Sequence, residues 1–193
     1  MSPRRVAAGR TDELLDGVMA IIAGEGFASL KVSDLARRLN CSTGTLYRIA
    51  PSKESLVIAA ISRWAEASLL KMTAEAETAA SAAARARRFY ELLIEDTFRL
   101  SEKMRADVVR FESTRRLYQE FSDRAIRQHA VYLDEAIAAG EVRPIDTGFF
   151  TAVLRQVGQL LSDRAALEAV GVDRDDAMSQ VDTILWEGLL PRA

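Results

Sequence analysis

The chain has 193 residues, of which 49% are hydrophobic and 28% are charged, with a formal net charge of -2. This apolar content argues against a disordered chain, and the near-neutral charge argues against a protein that is basic throughout. The charge is unevenly distributed, because residues 1–66 hold nine basic and seven acidic residues whereas the remainder holds seventeen basic and twenty-one acidic residues. A mildly basic front and an acidic rear indicate two tasks on one chain.

Cysteine content and hydropathy indicate the cellular compartment in which the protein is expected. Cys41 is the only cysteine, so an intramolecular disulfide is impossible, which fits a reducing environment. The first fifteen residues contain no apolar run of signal-peptide length, and no stretch of about 18 apolar residues occurs. We therefore expect a cytoplasmic protein without a membrane span, and we interpret Cys41 as a small apolar filler rather than a redox sensor.

The front of the chain predicts a basic arm followed by four helices. Arg4, Arg5 and Arg10 precede a first helix over residues 11–24, which has Thr11 as its cap. A second helix is expected over residues 32–39, and a very short third helix over residues 43–48. Asn40 suits the left-handed conformation that ends a helix, and Ser42 suits the cap of the third helix. Pro51 then breaks the chain, and Ser52 caps a longer helix.

The rear of the chain also predicts helices, because apolar residues recur three and four positions apart and no segment alternates cleanly. We expect these helices over residues 83–101, 104–117, 118–139, 146–169 and 174–190. The predicted fold class is therefore all-α.

Two helices joined by a short turn at Asn40 make a helix-turn-helix, whose second helix lies in the major groove of DNA. The third helix is too short to be stable alone, so its neighbours must hold it. Leu46 and Ile49 are the residues expected to face the core. The remaining residues of the helix should face outward: Thr43, Gly44, Thr45, Tyr47 and Arg48.

Each outward residue has a chemistry suited to DNA. Arg48 offers two donors to a guanine, and a threonine methyl group packs on a thymine methyl group. Gly44 permits close approach of the backbone. Tyr47 and Lys53 suit phosphate contacts, and the basic arm suits the backbone or the minor groove. Taken singly, Ser42, Ser52 and Arg48 are more often plain caps or a solvated charge, and only their joint spacing favours DNA binding.

With these residues in view, residues 12–57 resemble the DNA-binding domain of TetR-family transcriptional regulators. The matching stretches are Gly26-Phe27, Val32 to Ala36, Ser42 to Tyr47 and Lys53 to Leu56. The resemblance implies a homodimer with a variable ligand-binding domain, and usually repression that a small molecule releases. The DNA-contacting set predicted on this basis is Arg4, Arg5, Val32, Ser33, Ser42, Thr43, Gly44, Thr45, Tyr47, Arg48 and Lys53.

Three positions depart from the family pattern. Lys31 stands where the family usually has a capping threonine or serine, so the start of the second helix should be weakened. Asn40 and Cys41 replace a glycine and a small apolar residue. Ile49 and Ala50 replace an aromatic pair, which removes a packing anchor. These departures bear on local stability and on the operator sequence rather than on the motif itself.

The rear domain carries apolar residues around most of its last two long helices, so these helices need cover on two sides. We predict a two-fold, four-helix dimer interface in which each subunit contributes Phe150, Val153, Leu154, Val157, Leu161, Val181, Ile184, Leu185 and Leu189. A monomeric bundle core is the alternative.

The middle helices carry aromatic residues at helical spacing, a pattern more often of core than of pocket. Asp96 and His129 interrupt the pattern, and a polar group on an apolar face needs a partner, either a side chain or a ligand. The hypothetical effector site comprises Phe89, Asp96, Phe111, Tyr118, His129 and Tyr132.

Catalytic signals are weak. One histidine and one cysteine do not build the usual metal cluster, no motif frames a nucleophile, and no glycine-rich loop follows a strand. We therefore expect no enzymatic activity, no metal and no cofactor.

The predicted organisation is a basic arm over residues 1–10, a three-helix DNA-binding domain over residues 11–51, and an effector-binding and dimerisation domain over residues 52–193. The predicted function is that of a dimeric repressor that a small-molecule effector releases from its DNA operator. The alternative is a helical small-molecule-binding or enzymatic protein that has lost DNA binding. The sequence does not distinguish repression from activation.

Overall fold

The computed structural model describes residues 3–190, without the side chains of residues 3–8, Phe98, Ser162 and Arg164. Within this range the chain forms helices and no strand, as predicted. The helices are α1 (Pro3–Glu25), α2 (Val32–Arg38), α3 (Thr43–Ile49), α4 (Lys53–Ala76), α5 (Ala82–Phe98), α6 (Glu102–Arg110), α7 (Glu112–Ala138), α8 (Thr147–Ser162), α9 (Arg164–Val170) and α10 (Arg174–Leu189).

Local sequence fixes most of the helix ends. The side chains that accept a hydrogen bond from a backbone N–H three residues later, and so cap a helix, are Ser42, Ser101, Asp146, Asp163 and Asp173. Asn40 adopts the predicted left-handed conformation, with φ of 49°, in the turn between α2 and α3. The capped helices α3, α6, α8 and α10 begin within two residues of their predicted starts.

Packing divides the chain into two units that do not follow the chain order. The first unit runs to Met72 and also includes Leu93–Asp123, whereas the second unit consists of Thr73–Leu92 and the chain from Arg124 onward. The residues that pack with the helix-turn-helix therefore extend beyond those next to it in sequence.

The core of the first unit joins α1, α2, α3, α4 and α6. Val18 and Ile22 of α1, Leu35 of α2 and Leu46 of α3 are buried in one cluster. The same cluster includes Leu56, Val57 and Ile61 of α4 and Met104 and Val108 of α6. The short helix α3 is held by this cluster through Leu46, whose side chain has no exposed surface.

In the second unit, α8, α9 and α10 pack together, and Leu161, Leu167, Trp186 and Leu189 are buried. The backbone N–H of Arg143 donates to the carbonyl of Leu189 at 2.9 Å. Among the helices that the structure describes, none combines the length and the hydropathy needed to cross a membrane.

Three predicted boundaries differ from the structure. Helix α1 begins at Pro3 rather than at Thr11, since proline suits a first helical position and the residues that follow are adequate helix formers. The break predicted between residues 117 and 118 lies instead at Phe111, where the backbone is extended. A further break at Asp163, where that residue caps α9, divides the predicted helix 146–169.

Candidate nucleic-acid interface

The start of α3 is held by a small hydrogen-bond cluster. Ser42 Oγ accepts a hydrogen bond from the backbone N–H of Thr45 at 3.0 Å and lies 2.9 Å from the Thr45 hydroxyl. Because Ser42 satisfies one of the free N–H groups at the helix start, it acts as the predicted cap. The arrangement orients Thr45 and sets the direction in which α3 leaves the turn.

The two sides of α3 differ sharply in exposure. Leu46 is fully buried, whereas Tyr47 is 50% exposed. Thr43, Gly44 and Arg48 are also exposed, and Thr45 is half-buried. A polar, outward surface therefore faces away from the core of the first unit, as the sequence predicts. We call Thr43, Gly44, Thr45, Tyr47 and Arg48 the recognition surface.

Arg48 differs from the nearby arginines of α2 in its pairing. One of its guanidinium nitrogens donates to the Thr45 hydroxyl at 3.3 Å, and none of the acidic side chains that the structure describes forms an ion pair with it. In contrast, Arg37 pairs with Asp34 at 3.3 Å and Arg38 pairs with Glu25. Since a guanidinium carries five N–H donors, Arg48 retains donors for an external acceptor.

The α2 arginines are partly neutralised by these pairs. The hydrogen bond from Arg38 holds the pKa of the exposed Glu25 carboxyl below its ordinary value. Arg37 and Arg38 therefore have acidic partners within the first unit, whereas none of the described acidic side chains forms an ion pair with Arg48 or Lys53.

Lys53, the first residue of α4, has one internal partner. Its Nζ donates to the backbone carbonyl of Ala28 at 2.8 Å. Because an ammonium group has three donors, this contact orients Lys53 and leaves two donors. Ser52 and Ser55 next to it exchange hydrogen bonds between each hydroxyl and the other's backbone N–H at 3.0 Å. This reciprocal pair caps α4, as predicted for Ser52.

Five predicted DNA-contacting residues lie outside the recognition surface and α4. Ser33 is exposed on α2. Val32 is only 8% exposed, because its side chain packs into the core of the first unit; a side-chain contact from Val32 to DNA is therefore not available. Arg4 and Arg5 belong to the first turns of α1, and their side chains lie outside the described residues. Ser42 is exposed at the turn.

The departures noted in the sequence have structural counterparts. Lys31 makes no side-chain cap at the start of α2, as expected. Cys41 is half-buried and packs against the core, in agreement with its interpretation as filler. Ala50 is buried and Ile49 packs against the same cluster, so these residues take part in the packing of α3.

Sequence reasoning missed the role of α6 in holding this interface. The backbone N–H of Ser101 donates to the carbonyl of Ala23 in α1 at 2.8 Å. Asp107 accepts hydrogen bonds from the backbone N–H groups of Phe27 and Ala28, at 2.6 and 2.7 Å. No local pattern marks Asp107, because its partners lie about 80 residues earlier in the chain.

The residues of the hypothetical effector site belong to two different units. Phe89, His129 and Tyr132 lie in the second unit, where the Phe89 ring is 6.5 Å from the His129 ring and 5.4 Å from the Tyr132 ring, centroid to centroid. Asp96, Phe111 and Tyr118 lie in the first unit.

The first-unit members of this set have local partners. Asp96 is buried and pairs with Arg99 at 3.6 Å, so its partner is a side chain. Burial raises the pKa of the Tyr118 hydroxyl, while a hydrogen bond with Thr97 lowers it in part. Phe111 packs its ring 5.4 Å from that of Phe27 and thus contacts the segment between α1 and α2.

The predicted dimer residues vary in burial. Leu161 and Leu189 are buried within the second unit, and Ile184 is 69% exposed. The other members are half-buried: Phe150, Val153, Leu154, Val157, Val181 and Leu185. Phe149, at the start of α8, is 73% exposed and was not in the predicted set. Among described residues, no three His, Cys, Asp or Glu side chains converge as metal ligands.

A family model described as "Bacterial regulatory proteins, tetR family" matches residues 14–60. This match spans α2 and α3 and most of α1, together with the start of α4, and so includes the recognition surface. The comparison with curated proteins gave no match.

Solved structures resemble the chain over nearly its whole length. A transcriptional regulator from Saccharomonospora viridis in complex with choline has a TM-score of 0.77 at 20% identity, covering 96% of this chain and 100% of the other. A TetR-family regulator from Rhodococcus sp. has a TM-score of 0.70 at 22% identity, with 94% and 99% covered. A TetR transcription regulator from Haloarcula marismortui has a TM-score of 0.76 at 16% identity, with 95% and 100% covered. At these identities the likeness shows a shared fold.

Proposed function

We propose that this chain, which belongs through residues 14–60 to the tetR family of bacterial regulatory proteins, is a dimeric repressor whose recognition surface binds a specific DNA operator. The observation that carries the proposal is the two-sided character of α3, with Leu46 buried and Tyr47 half exposed beside Arg48. A polar face alone is common on surface helices, but here it lies on the second helix of a helix-turn-helix, which is the helix that enters the major groove.

The residues of the recognition surface differ in the DNA contacts that they can make. Arg48 has donors to spare for the O6 and N7 acceptors of a guanine. Tyr47 and Lys53 offer single donors to phosphate, which fix position without reading sequence. Thr43 and Thr45 offer a hydroxyl and a methyl group each, and Gly44 lets the backbone approach the duplex.

Dimerisation is supported by exposed apolar side chains on the second unit. Phe149 and Leu160 of α8 are 73% and 50% exposed, and Ile184 of α10 is 69% exposed. Exposed apolar residues grouped on two helices typically mark an interface. A two-fold dimer would place two copies of α3 about 34 Å apart, one turn of DNA, so the operator should be roughly palindromic.

We also propose that a small molecule releases the protein from its operator. An effector that binds the rear part of the chain lowers operator occupancy only if it binds the released state of the protein more tightly than the DNA-bound state. The size of the shift is set by the ratio of these two affinities. The Saccharomonospora viridis structure of the same fold holds choline, which supports a ligand site in proteins of this shape. We propose a cytoplasmic location and no enzymatic role, since DNA is the partner.

Fluorescence anisotropy with the DNA upstream of the chain's own coding sequence, over a salt series, tests the proposal. We expect the anisotropy of the DNA to rise on binding, with a dissociation constant that increases steeply with salt, since phosphate contacts release counterions. The absence of binding at low salt would favour the alternative of a helical small-molecule-binding or enzymatic protein that has lost DNA binding.

A further inference from the structure

His129 on α7 is the only histidine of the chain, and it is deeply buried. In the second unit its ring lies 6.5 Å from the Phe89 ring and 5.6 Å from the Tyr90 ring. Burial lowers the pKa of the imidazole to about 4, against a smaller opposing effect of a hydrogen bond with the Ala86 backbone. The ring is therefore neutral at physiological pH.

A neutral imidazole has one donor nitrogen and one acceptor nitrogen. The Ala86 hydrogen bond raises the pKa, so the ring donates to that carbonyl, and Nε2 is left as the acceptor. Nε2 is buried and no described residue hydrogen-bonds to it. The other buried side-chain atoms without a partner are donors, namely Nε of Arg85, Nε of Arg143 and Nε1 of Trp186.

Several other buried polar groups have hydrogen-bond or ion-pair partners among the side chains and the backbone. In the second unit the Tyr132 hydroxyl donates to Glu77 at 3.1 Å. In the first unit Asp96 pairs with Arg99 and the Thr114 hydroxyl donates to the Val108 carbonyl. A buried acceptor without a donor costs free energy, so a hydrogen bond from an external donor to Nε2 would be favourable. No described residue occupies this nitrogen, so such a donor would meet little competition from the protein.

The charges around the aromatic rings argue against a cationic ligand. The guanidinium of Arg85 lies 5.8 Å from the centre of the Tyr132 ring, and that of Arg87 lies 5.8 Å from the centre of the Trp186 ring. A quaternary ammonium ligand would need a ring face for cation–π contact, and these two arginines already cover one face of Tyr132 and one face of Trp186.

The same arginines argue against an anionic ligand. Arg85 pairs with Glu135 at 2.8 Å, and Arg87 pairs with Asp182 at 3.3 Å. Since carboxylates of the same unit already neutralise these guanidinium groups, they leave little positive charge for a ligand. An uncharged ligand fits both observations.

We propose that the second unit binds an uncharged aromatic hydroxyl compound, of which phenol is the simplest, through a hydrogen bond from its hydroxyl to Nε2 of His129. A ring compound suits the site because the Phe89 and Tyr90 rings flank His129, and aromatic rings attract one another when they pack together. The inference rests on the proposed function, because it names the chemical class of the effector. Phe89 is fully buried, so binding requires the Phe89 and Tyr90 rings to part, as in ligand-opened pockets.

The single histidine gives a direct test on the full chain. In protein labelled with ¹⁵N-histidine, the two ring-nitrogen signals belong to His129 alone. We expect saturating phenol to shift the Nε2 signal in the direction of an accepted hydrogen bond. Anisole, which has the same ring and no hydroxyl donor, and choline, which is cationic, should leave it in place. An unmoved Nε2 signal with phenol, or an equal shift with anisole, overturns the proposal.

Calorimetric titration with phenol gives a second readout. His129→Phe keeps a buried ring and removes the acceptor, so we expect phenol affinity to fall about tenfold or more. Thr114→Val is the control, because it removes a buried hydroxyl of the first unit that bonds to the Val108 carbonyl, and it should bind phenol as the wild type does. Equal affinity of wild type and His129→Phe overturns the proposal. Neither readout involves DNA, so failure of the anisotropy experiment alone overturns the regulator function and leaves this inference standing.

Discussion

The Asp107 carboxylate accepts a hydrogen bond from the backbone N–H of Phe27 at 2.6 Å, and this contact joins α6 to the segment between α1 and α2. The same oxygen accepts from Ala28 at 2.7 Å, and the Ala28 carbonyl accepts from Lys53. Gly26 is left-handed, with φ of 72°, and a Cβ there would lie 2.6 Å from that oxygen. Asp107 thus links α6 to a segment that also holds Lys53.

Asp107→Ala should destabilise the first unit. The substitution leaves two backbone N–H groups without their acceptor, so we expect the free energy of unfolding to fall by about 1–3 kcal/mol. Urea denaturation followed by circular dichroism measures it. Asp34→Ala is the control, because Asp34 forms an exposed pair with Arg37, and such pairs contribute about 0–1 kcal/mol. Equal losses in the two variants would contradict the role given to Asp107.

Ser42 separates the stability of α3 from its contact with DNA. Ser42→Asp retains a capping oxygen and places a negative charge beside the duplex, whereas Ser42→Asn retains the cap without charge. We expect both variants to unfold within about 0.5 kcal/mol of the wild type. Only Ser42→Asp should weaken DNA binding, as anisotropy would report. Unchanged DNA affinity for Ser42→Asp would show that the start of α3 faces away from the duplex.

Arg48 should determine which DNA sequence is preferred, whereas Tyr47 and Lys53 should contribute affinity for any sequence. We expect Arg48→Ala to cost about 1–3 kcal/mol on the preferred operator and to relax preference at one base pair. Tyr47→Ala and Lys53→Ala should weaken binding to all sequences alike. Competition binding with an operator library measures both effects. Arg116→Ala, which removes an exposed arginine of α7, is the control. An unchanged preference in Arg48→Ala would refute the base contact.

The buried His129 makes stability depend on pH in a predictable window. Its pKa is lowered from 6.5 to about 4 on folding, so between these values the unfolded chain binds the extra proton. Stability is therefore complete above pH 6.5 and is lost as the pH falls towards 4, by about 3 kcal/mol. The chain has one histidine, so this contribution is isolated by subtracting the unfolding free energy of His129→Phe from that of the wild type at each pH. A difference that is constant from pH 7 to 4 would contradict it.

The exposed apolar residues of α8 and α10 should hold the dimer. Phe149→Lys and Ile184→Lys place a charge at these positions, so we expect the dimer to dissociate about tenfold or more readily. Sedimentation velocity at several protein concentrations measures this. Leu70→Lys is a matched control, since Leu70 is as exposed as Phe149, at 73%, but lies on α4 in the first unit. A wild type that sediments as a monomer at every concentration would refute the dimer.

The sequence predicted those features that local chemistry decides. Ser42 and Ser52 were identified as caps from residue type and spacing, and Asn40 was identified as left-handed, because each needs only its near neighbours. The all-α fold class was also correct. The outward face of α3 was predicted because Leu46 is its principal apolar anchor.

Long-range packing decided what the sequence did not predict. Phe111 was placed inside a helix, yet its ring packs on Phe27 and the chain is extended there. Val32 was a candidate DNA contact, but its side chain belongs to the core. The assembly of residues 93–123 with the first unit has no local sequence signal.

Photocrosslinking at position 47 tests the central claim most directly. Replacing Tyr47 with p-azidophenylalanine puts a reactive ring on the recognition surface, and the same replacement at Arg116 puts one on exposed α7. With the upstream DNA bound, we predict covalent protein–DNA product on illumination of the position 47 variant and none from the position 116 variant. A variant that binds the DNA yet crosslinks equally from both positions, or only from position 116, would contradict the assignment of α3 as the DNA-reading helix.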